Sequence, residues 1–527
     1  MLKSSIMRGW FTKQSRWFWP LLLAGFLLRL GALPLFPFAE GDANLFCLAA
    51  EHWAESGRLT LGMKTHFAPD MAAFGLDEPQ SQHLPLWPWL GGIILKVLPS
   101  LDSYAVFQIE SLLFGTLLLI LVYQLGEQTL PEWANFCAVT LAAGSPLLIE
   151  YSANGSLYSL MACQWLLLFL LLPGCSNTGW RPWLATGALL GLSFLTHYPQ
   201  LLMLPVILIW LALKRREVSC SKAAALLLVA LLPWGLWAMR NQALFGDPFF
   251  SSTLLNFQRK WGLLETRLIE GRLVQQSTSL PPETATRMVQ AFPLNALQFL
   301  GQLASRCFYW PLAAVLIGGW AAARRRVRLP GGGLGVLLAV LYLAEVSFWG
   351  FIRPRFLVPV LPLVFLWSAA GFESIADSFL NRGIQIRQTG RLLVAVSTIT
   401  VLILLLTAGI HWKKTPPVEQ AASMRLAEWL KEQPSGTVLG YSALLDGGIQ
   451  AVRIHRHPYV HGRNFLYQPQ AAVRLWEEYH PRYVWCDSPI RGFVESVLPV
   501  RLARREGHQC VLIPIHESPT NPLKNSE

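Results

Sequence analysis

The chain has 527 residues, of which 53% are hydrophobic and only 14% charged, with a mean hydropathy of +0.39. Soluble domains carry roughly 25% charged residues, so too little charge is present to cover a water-facing surface. The apolar excess falls in blocks of about 13 to 21 residues, which excludes a soluble enzyme, a disordered chain and a barrel of period-two strands.

The first block, Trp17–Phe36, follows a basic segment (Lys3, Arg8, Lys13, Arg16) with no small-residue cleavage motif after it, so a retained first span is expected. Further apolar blocks are Leu84–Leu98, Val106–Gln124, Trp133–Tyr151, Leu157–Leu172, Pro182–Thr196, Leu201–Leu213 and Ala223–Met239. Phe308–Ala323, Leu334–Gly350, Leu357–Phe372 and Leu392–Trp412 complete the series. The net charge of +12 comes from short Lys/Arg clusters between these blocks, at Lys214–Arg216 with Lys222, Arg324–Arg326 with Arg328, and Arg382, Arg387 and Arg391. Such clusters set membrane orientation and do not call for a nucleic-acid partner.

All clusters fall on the N-terminal, cytoplasmic side if one early block does not cross. Leu84–Leu98 is the candidate: it is short, has Pro85 and Pro88 near its start and carries Lys96. A re-entrant or interfacial helix is expected there, leaving about eleven spans and an outside C-terminus. The fold class is therefore an all-α polytopic membrane protein with a small α/β domain at its C-terminus, where a helix-like stretch (AASMRLAEWLKEQ) mixes with short β-rich runs such as RYVWCDS and CVLIPIH. No internal repeat is evident.

The densest polar constellation at a membrane boundary is FAEGDANLFCLAAEHWAESGRL, directly after the first block. Glu40 and Asp42 precede an amphipathic pattern with Leu45, Leu48, Ala49 and Trp53 at helical spacing. A carboxylate held at the interface can take a proton from an incoming hydroxyl; spacing alone equally fits an acidic helix cap. Glu110, Glu150 and Glu345 lie within apolar blocks, where acids are costly and often functional; Glu345 also suits pairing with a basic neighbour. The 8 cysteines show no metal-binding spacing, and only Cys486 and Cys510 look placed to form a disulfide.

The order of these features resembles the GT-C glycosyltransferases, in particular the branch with dolichyl-phosphate-mannose–protein mannosyltransferases, the aminoarabinose transferase of lipid A and the RgtA/B/C/D-like enzymes. The first-loop motif D-E-x-x-Y-x-x-x-A reads Asp42-Ala43-Asn44-Leu45-Phe46-Cys47-Leu48-Ala49-Ala50, with Ala43 replacing the second acid. A His-Pro-Pro-type segment is matched loosely by His83 to Pro88, and a Ser-Pro followed by a Tyr by Ser145-Pro146 and Tyr158. Gly191 to His197 follows a Gly-Leu-x-Phe-Leu-Thr-Lys stretch with His197 in place of lysine. Arg240-Asn241, Phe245-Gly246 and Pro248 follow another, and Arg355-Phe356-Leu357-Val358-Pro359 with Pro362 resembles Arg-Tyr-Leu-x-Pro-x-x-Pro.

The resemblance implies transfer of a sugar from a polyprenyl-phosphate donor to a lipid, glycan or protein acceptor at the outer face of a bacterial-type inner membrane; no cofactor is expected, and a divalent metal stays open because the sequence does not reveal one. It covers roughly Leu28 to Gly371 and makes residues 1–412 the glycosyltransferase domain with a catalytic first outer loop at 37–103, while the Lys/Arg topology puts a second loop at 240–302 and the α/β domain of residues 413–527 outside. Asp42 would be the general base, with Glu40 beside it. His83, His197, Arg240, Arg353, Arg355 and Tyr158 would hold the donor phosphate or substrate, and the Lys/Arg topology puts the basic ones at the outer boundary. Guanidinium groups suit a departing phosphate bidentately, although each arginine could also simply snorkel to headgroups. A transporter or lipid flippase is the alternative, but it would place its polar groups at the bilayer midplane on broken helices.

Overall fold

The computed structural model describes residues 16–37, 42–61, 63–64, 78–81, 83–176, 179–251, 253, 258, 261–269, 272–277, 281–307, 314–319, 329–350, 353–380, 394–399, 401–402, 418–441, 459–461 and 469–515. The protein is mostly helical and forms two compact units. One comprises Met1–Pro37, Ala105–Trp237 and Pro281–Lys413; the other comprises Phe38–Tyr104, Ala238–Leu280 and Lys414–Glu527.

Among the described residues five helices are long and apolar enough to cross a membrane: Phe18–Leu35, Ser103–Glu127, Tyr158–Cys175, Cys220–Phe245 and Gly332–Trp349. The expected eleven exceed these because other apolar blocks fold as shorter helices, such as Arg181–Phe194 and Met203–Leu213, or fall largely outside the described residues, as Leu392–Trp412 does. The block Trp133–Tyr151 is not one helix. It breaks into Glu132–Gly144 and Pro146–Glu150, because Pro146 cannot continue the first and Ser145 caps the second by accepting from Leu148 N.

Within the first unit, Phe18–Ala32 packs on Glu132–Gly144, Tyr158–Leu171 on Arg181–Phe194, Glu132–Gly144 on Leu361–Leu380, and Pro282–Cys307 on Gly332–Trp349. Arg29 is fully buried in its span. Its guanidinium donates to the carbonyls of Gly25, Ala143 and Ala142 at 3.0, 3.1 and 3.2 Å and to Ser152 Oγ at 3.3 Å. It thus satisfies the open carbonyls that the break at Ser145 leaves at a helix C-terminus.

In the second unit, helix Asp42–Ser56 packs on Leu86–Val97, where Gly92 lets the Trp53 ring and the Ala50 carbonyl approach closely. Leu86–Val97 is about 18 Å long at 1.5 Å per residue, well short of a ~30 Å hydrocarbon core. The strands in chain order are β1 (Met63–Lys64), β2 (Leu264–Ile269), β3 (Arg272–Ser277), β4 (Val438–Gly440), β5 (Tyr459–His461), β6 (Tyr483–Asp487), β7 (Val500–Glu506) and β8 (Gln509–Pro514). β2 and β3 form an antiparallel hairpin where the sequence reading has loop. The other six make one sheet in the order β1-β5-β4-β6-β8-β7, parallel from β1 to β6 and antiparallel beyond. The first long loop thus supplies an edge strand to the C-terminal sheet.

That sheet is cored by Leu439, Val460, Val484, Cys486, Cys510 and Leu512 under helices Pro469–Tyr479 and Ser488–Val497. Cys486 and Cys510, whose pairing the sequence leaves open, face each other across β6 and β8 as buried free thiols. Burial pushes the Cys486 thiol well above its usual range.

Candidate active site

The second unit brings Asp42 and His83 together. Asp42 opens its helix, where an acid is favoured by the backbone dipole. His83 Nε2 lies 3.5 Å from Asp42 Oδ1, and the side chains are 7% and 20% exposed, respectively. The His83 ring also packs at 4.8 Å, centroid to centroid, against buried Phe46 on the same helix. His83 arrives from the segment 78–81, which is pinned back on the residues after the Asp42 helix. Leu61 N donates to the Glu78 carbonyl at 2.9 Å and Gln80 N to the Leu59 carbonyl at 2.8 Å. A carboxylate shielded from water, with an imidazole beside it, can accept a proton and have the resulting change in charge compensated.

Arg240 belongs to the same unit. Its Nη1 donates to Asn241 Oδ1 at 2.9 Å, and its Cζ lies 5.7 Å from the Phe245 ring centre. Buried Asn241 donates to the Phe250 carbonyl at 3.1 Å, and Ser251 Oγ donates to the Ser81 carbonyl at 3.4 Å. The turn after Arg240 therefore touches the segment that delivers His83. Glu40 lies outside the described residues.

The first unit assembles a different group around Tyr158. The break at Ser145-Pro146 and the left-handed Gly155 (φ 73°) bring Tyr158 to the start of its helix, 3% exposed. Its ring stands 6.1 Å from His197, 5.9 Å from Phe356 and 5.6 Å from Tyr151. The Arg355 guanidinium carbon sits 6.0 Å from the Tyr158 ring centre and 5.2 Å from that of Phe356. Arg353, at the same turn, is exposed and is not drawn into this group.

A buried polar chain fixes the turn that carries His197. Gln164 Nε2 donates to Thr196 Oγ1 at 2.8 Å, Gln200 Nε2 to Gln164 Oε1 at 2.8 Å, and Trp165 Nε1 to Gln200 Oε1 at 2.6 Å. Sequence reasoning did not single out Gln164, Gln200 or Tyr342, a fully buried tyrosine that meets Trp165 edge-on at 5.2 Å. The available signal was spacing: Tyr342 stands three residues before Glu345, on the same helix face. Among the described residues no three of His, Cys, Asp and Glu gather as a metal site would require.

Residues 77–237 match the family model described as dolichyl-phosphate-mannose-protein mannosyltransferase. In fold the chain is similar to ArnT from Cupriavidus metallidurans bound to undecaprenyl phosphate, with a TM-score of 0.62, 11% identity, and 95% of this chain and 98% of that chain covered. It is also similar to the archaeal oligosaccharyltransferase AglB from Archaeoglobus fulgidus in complex with an inhibitory peptide and a dolichol-phosphate, with a TM-score of 0.58, 13% identity, and 96% and 75% covered. A sequence comparison with curated proteins finds no significant match. The fold is thus similar to that of ArnT and AglB, in line with the resemblance in the sequence.

Proposed function

We propose that this chain transfers a sugar from a polyprenyl-phosphate donor to a lipid, glycan or protein acceptor at the outer face of a bacterial-type inner membrane. The observation that carries the reading is the Asp42–His83 pair, a partly shielded carboxylate and imidazole at the start of a helix in the first long loop. The solved relative ArnT holds undecaprenyl phosphate and AglB a dolichol-phosphate, which supports the donor class.

In this reading Asp42 accepts the proton of the acceptor hydroxyl as that oxygen bonds to the anomeric carbon. The bond from that carbon to the phosphate oxygen breaks, and the electron pair leaves on the polyprenyl phosphate. His83 steadies the carboxylate before the transfer. Within the first unit, Arg355 with Tyr158 beside it is a separate candidate for gripping a phosphate, which a guanidinium does through parallel hydrogen bonds. Arg240 and His197 are further candidates for the phosphate.

The proposed topology has about eleven spans, a cytoplasmic N-terminus and an outside C-terminus, from the basic clusters. Residues 1–412 form the transferase domain and 413–527 an outer domain whose sheet also takes in a strand from the first loop.

The direct test is purified protein in nanodiscs given decaprenyl-phosphate-linked mannose, glucose or galactose, with product lipids and glycans followed by mass spectrometry. A lipid-extract comparison between a deletion strain and its parent names the natural product. Decaprenyl phosphate binding without transfer in either experiment would move the chain to the flippase reading.

A further inference from the structure

Tyr342 and Glu345 sit three residues apart on helix Gly332–Trp349 and so share a face. Tyr342 is 0% exposed, and its hydroxyl makes no hydrogen bond. The Oε2 atom of Glu345 is likewise shut off from water, with no hydrogen-bond partner among the described residues. Tyr342 meets Trp165 edge-on at 5.2 Å, on the helix that Tyr158 opens, and the Arg355 guanidinium carbon lies 6.0 Å from the Tyr158 ring centre. The large majority of buried side-chain polar atoms in native proteins are paired, because leaving one bare forfeits its solvation with nothing in return. Two orphans on one helix face, packed through Trp165 against the helix that Tyr158 opens, describe a polar site awaiting hydrogen-bonding groups.

The chemistry of the set favours one class of ligand. A guanidinium suits the phosphate of a glycosyl phosphate, while a carboxylate repels phosphate and accepts from O–H groups. A phenol donates to one hydroxyl and accepts from another. We propose that Tyr342 and Glu345 are the sugar-reading part of the donor site, hydrogen-bonding hydroxyls of the sugar that the polyprenyl phosphate carries; this rests on the donor class proposed above. They set specificity and do no proton transfer. A site built to hydrogen-bond a substrate hydroxyl rejects an analogue lacking it far more strongly than an apolar pocket rejects a missing methylene.

The test compares binding of bare decaprenyl phosphate with that of decaprenyl-phosphate mannose, glucose and galactose, in nanodiscs, for wild type, Glu345→Gln and Tyr342→Phe. Both variants should weaken the best-bound glycosylated donor by at least roughly tenfold, the loss of about one buried hydrogen bond to a charged or phenolic group, and leave bare decaprenyl phosphate within about twofold. Because the Tyr342 hydroxyl has no partner in the protein, Tyr342→Phe should keep or raise Tm. A residue with only a structural role would instead lower Tm and weaken both ligands alike. Equal loss for bare and glycosylated lipid, no loss for either, or a wild type that prefers no sugar over bare lipid overturns the assignment while leaving the donor class intact. A wild type that binds no decaprenyl phosphate at all overturns both.

Discussion

The Asp42 carboxylate lies 3.5 Å from His83 Nε2 although the two residues come from opposite ends of the first long loop. Their meeting depends on the packing of helices Asp42–Ser56 and Leu86–Val97 at Gly92. Asp42→Asn retains size and hydrogen bonding but removes the proton acceptor. Transfer should fall on the order of 10²–10⁴-fold, as for loss of a general base, with expression and Tm unchanged. Transfer by Asp42→Asn at near wild-type rate would pass the role to Glu40 or remove it from this loop.

How far this was legible in the sequence depends on the range of the interaction. Asp42 at a helix start is a local pattern, and so are the apolar blocks and the β-rich runs of the C-terminal sheet. The pairing of β1 with β5 is not local: nothing in Met63–Lys64 marks a strand that joins a sheet hundreds of residues later. The Ser145-Pro146 break was visible as a dipeptide but was overridden by the hydrophobicity around it. Tyr342 was hidden because a phenol inside an apolar helix reads as one more large hydrophobe until its hydroxyl is seen to lack a partner.

The orientation is testable by cysteine labelling, and the structure selects the positions. Ser81 and Ser103, which flank Leu84–Leu98 in sequence, are both buried and would label poorly wherever they lie. Ser56 and Ser100 are exposed. In a cysteine-free background, Ser56→Cys and Ser100→Cys should both react with a membrane-impermeant maleimide applied from outside. Reaction of Ser100→Cys only after permeabilisation would mean that Leu86–Val97 crosses and that the eleven-span topology is wrong.

Glu506 on β7 accepts from Arg425 Nε at 3.0 Å and from Arg504 Nη2 at 2.8 Å. These bonds hold its carboxyl below the usual carboxylate range. A depressed folded pKa contributes stability above the unfolded value near ~4.3, and that contribution is lost as pH falls through the folded value. Both arginines are about half exposed, so the worth at neutral pH is at most about 1 kcal/mol. Protection factors of β7 and β8 amides, corrected for the intrinsic exchange rate at each pH, should fall on acidification more in wild type than in Glu506→Gln. Parallel acid profiles for the two proteins would show the pair to be idle.

Gly371 on helix Leu361–Leu380 meets the helical residues 314–319 at backbone distance. A Cβ placed there would run into the Ala314 carbonyl oxygen, and one on Gly318 would come 2.9 Å from Gly371 N. Small residues of this kind let membrane helices cross closely. Gly371→Ala should push the helices apart and cost about 1–3 kcal/mol, as overpacking does, read as a lower Tm in detergent. Gly319→Ala, which meets nothing within 4 Å, is the control and should leave Tm unchanged.

The last prediction separates phosphate recognition from headgroup anchoring at Arg355. Its guanidinium carbon lies 6.0 Å from the Tyr158 ring centre and 5.2 Å from that of Phe356, whereas the neighbouring Arg353 is exposed. An arginine that only snorkels acts as a point charge on a long stem, so lysine should replace it with little effect. An arginine that grips a phosphate through its planar fork while stacked on aromatic rings cannot be replaced so simply. Arg355→Lys should therefore lower transfer from a decaprenyl-phosphate sugar by at least roughly tenfold, about 1.4 kcal/mol of transition-state stabilisation, with normal membrane insertion. Arg353→Lys should stay within about twofold of wild type, as expected of an exposed charge. If the charge of the leaving phosphate is what Arg355 meets, the loss should fall on kcat more than on KM, because that charge is greatest in the transition state. Equal rates for Arg355→Lys and wild type would return Arg355 to headgroup anchoring and leave Arg240 and His197 as the candidates for the phosphate.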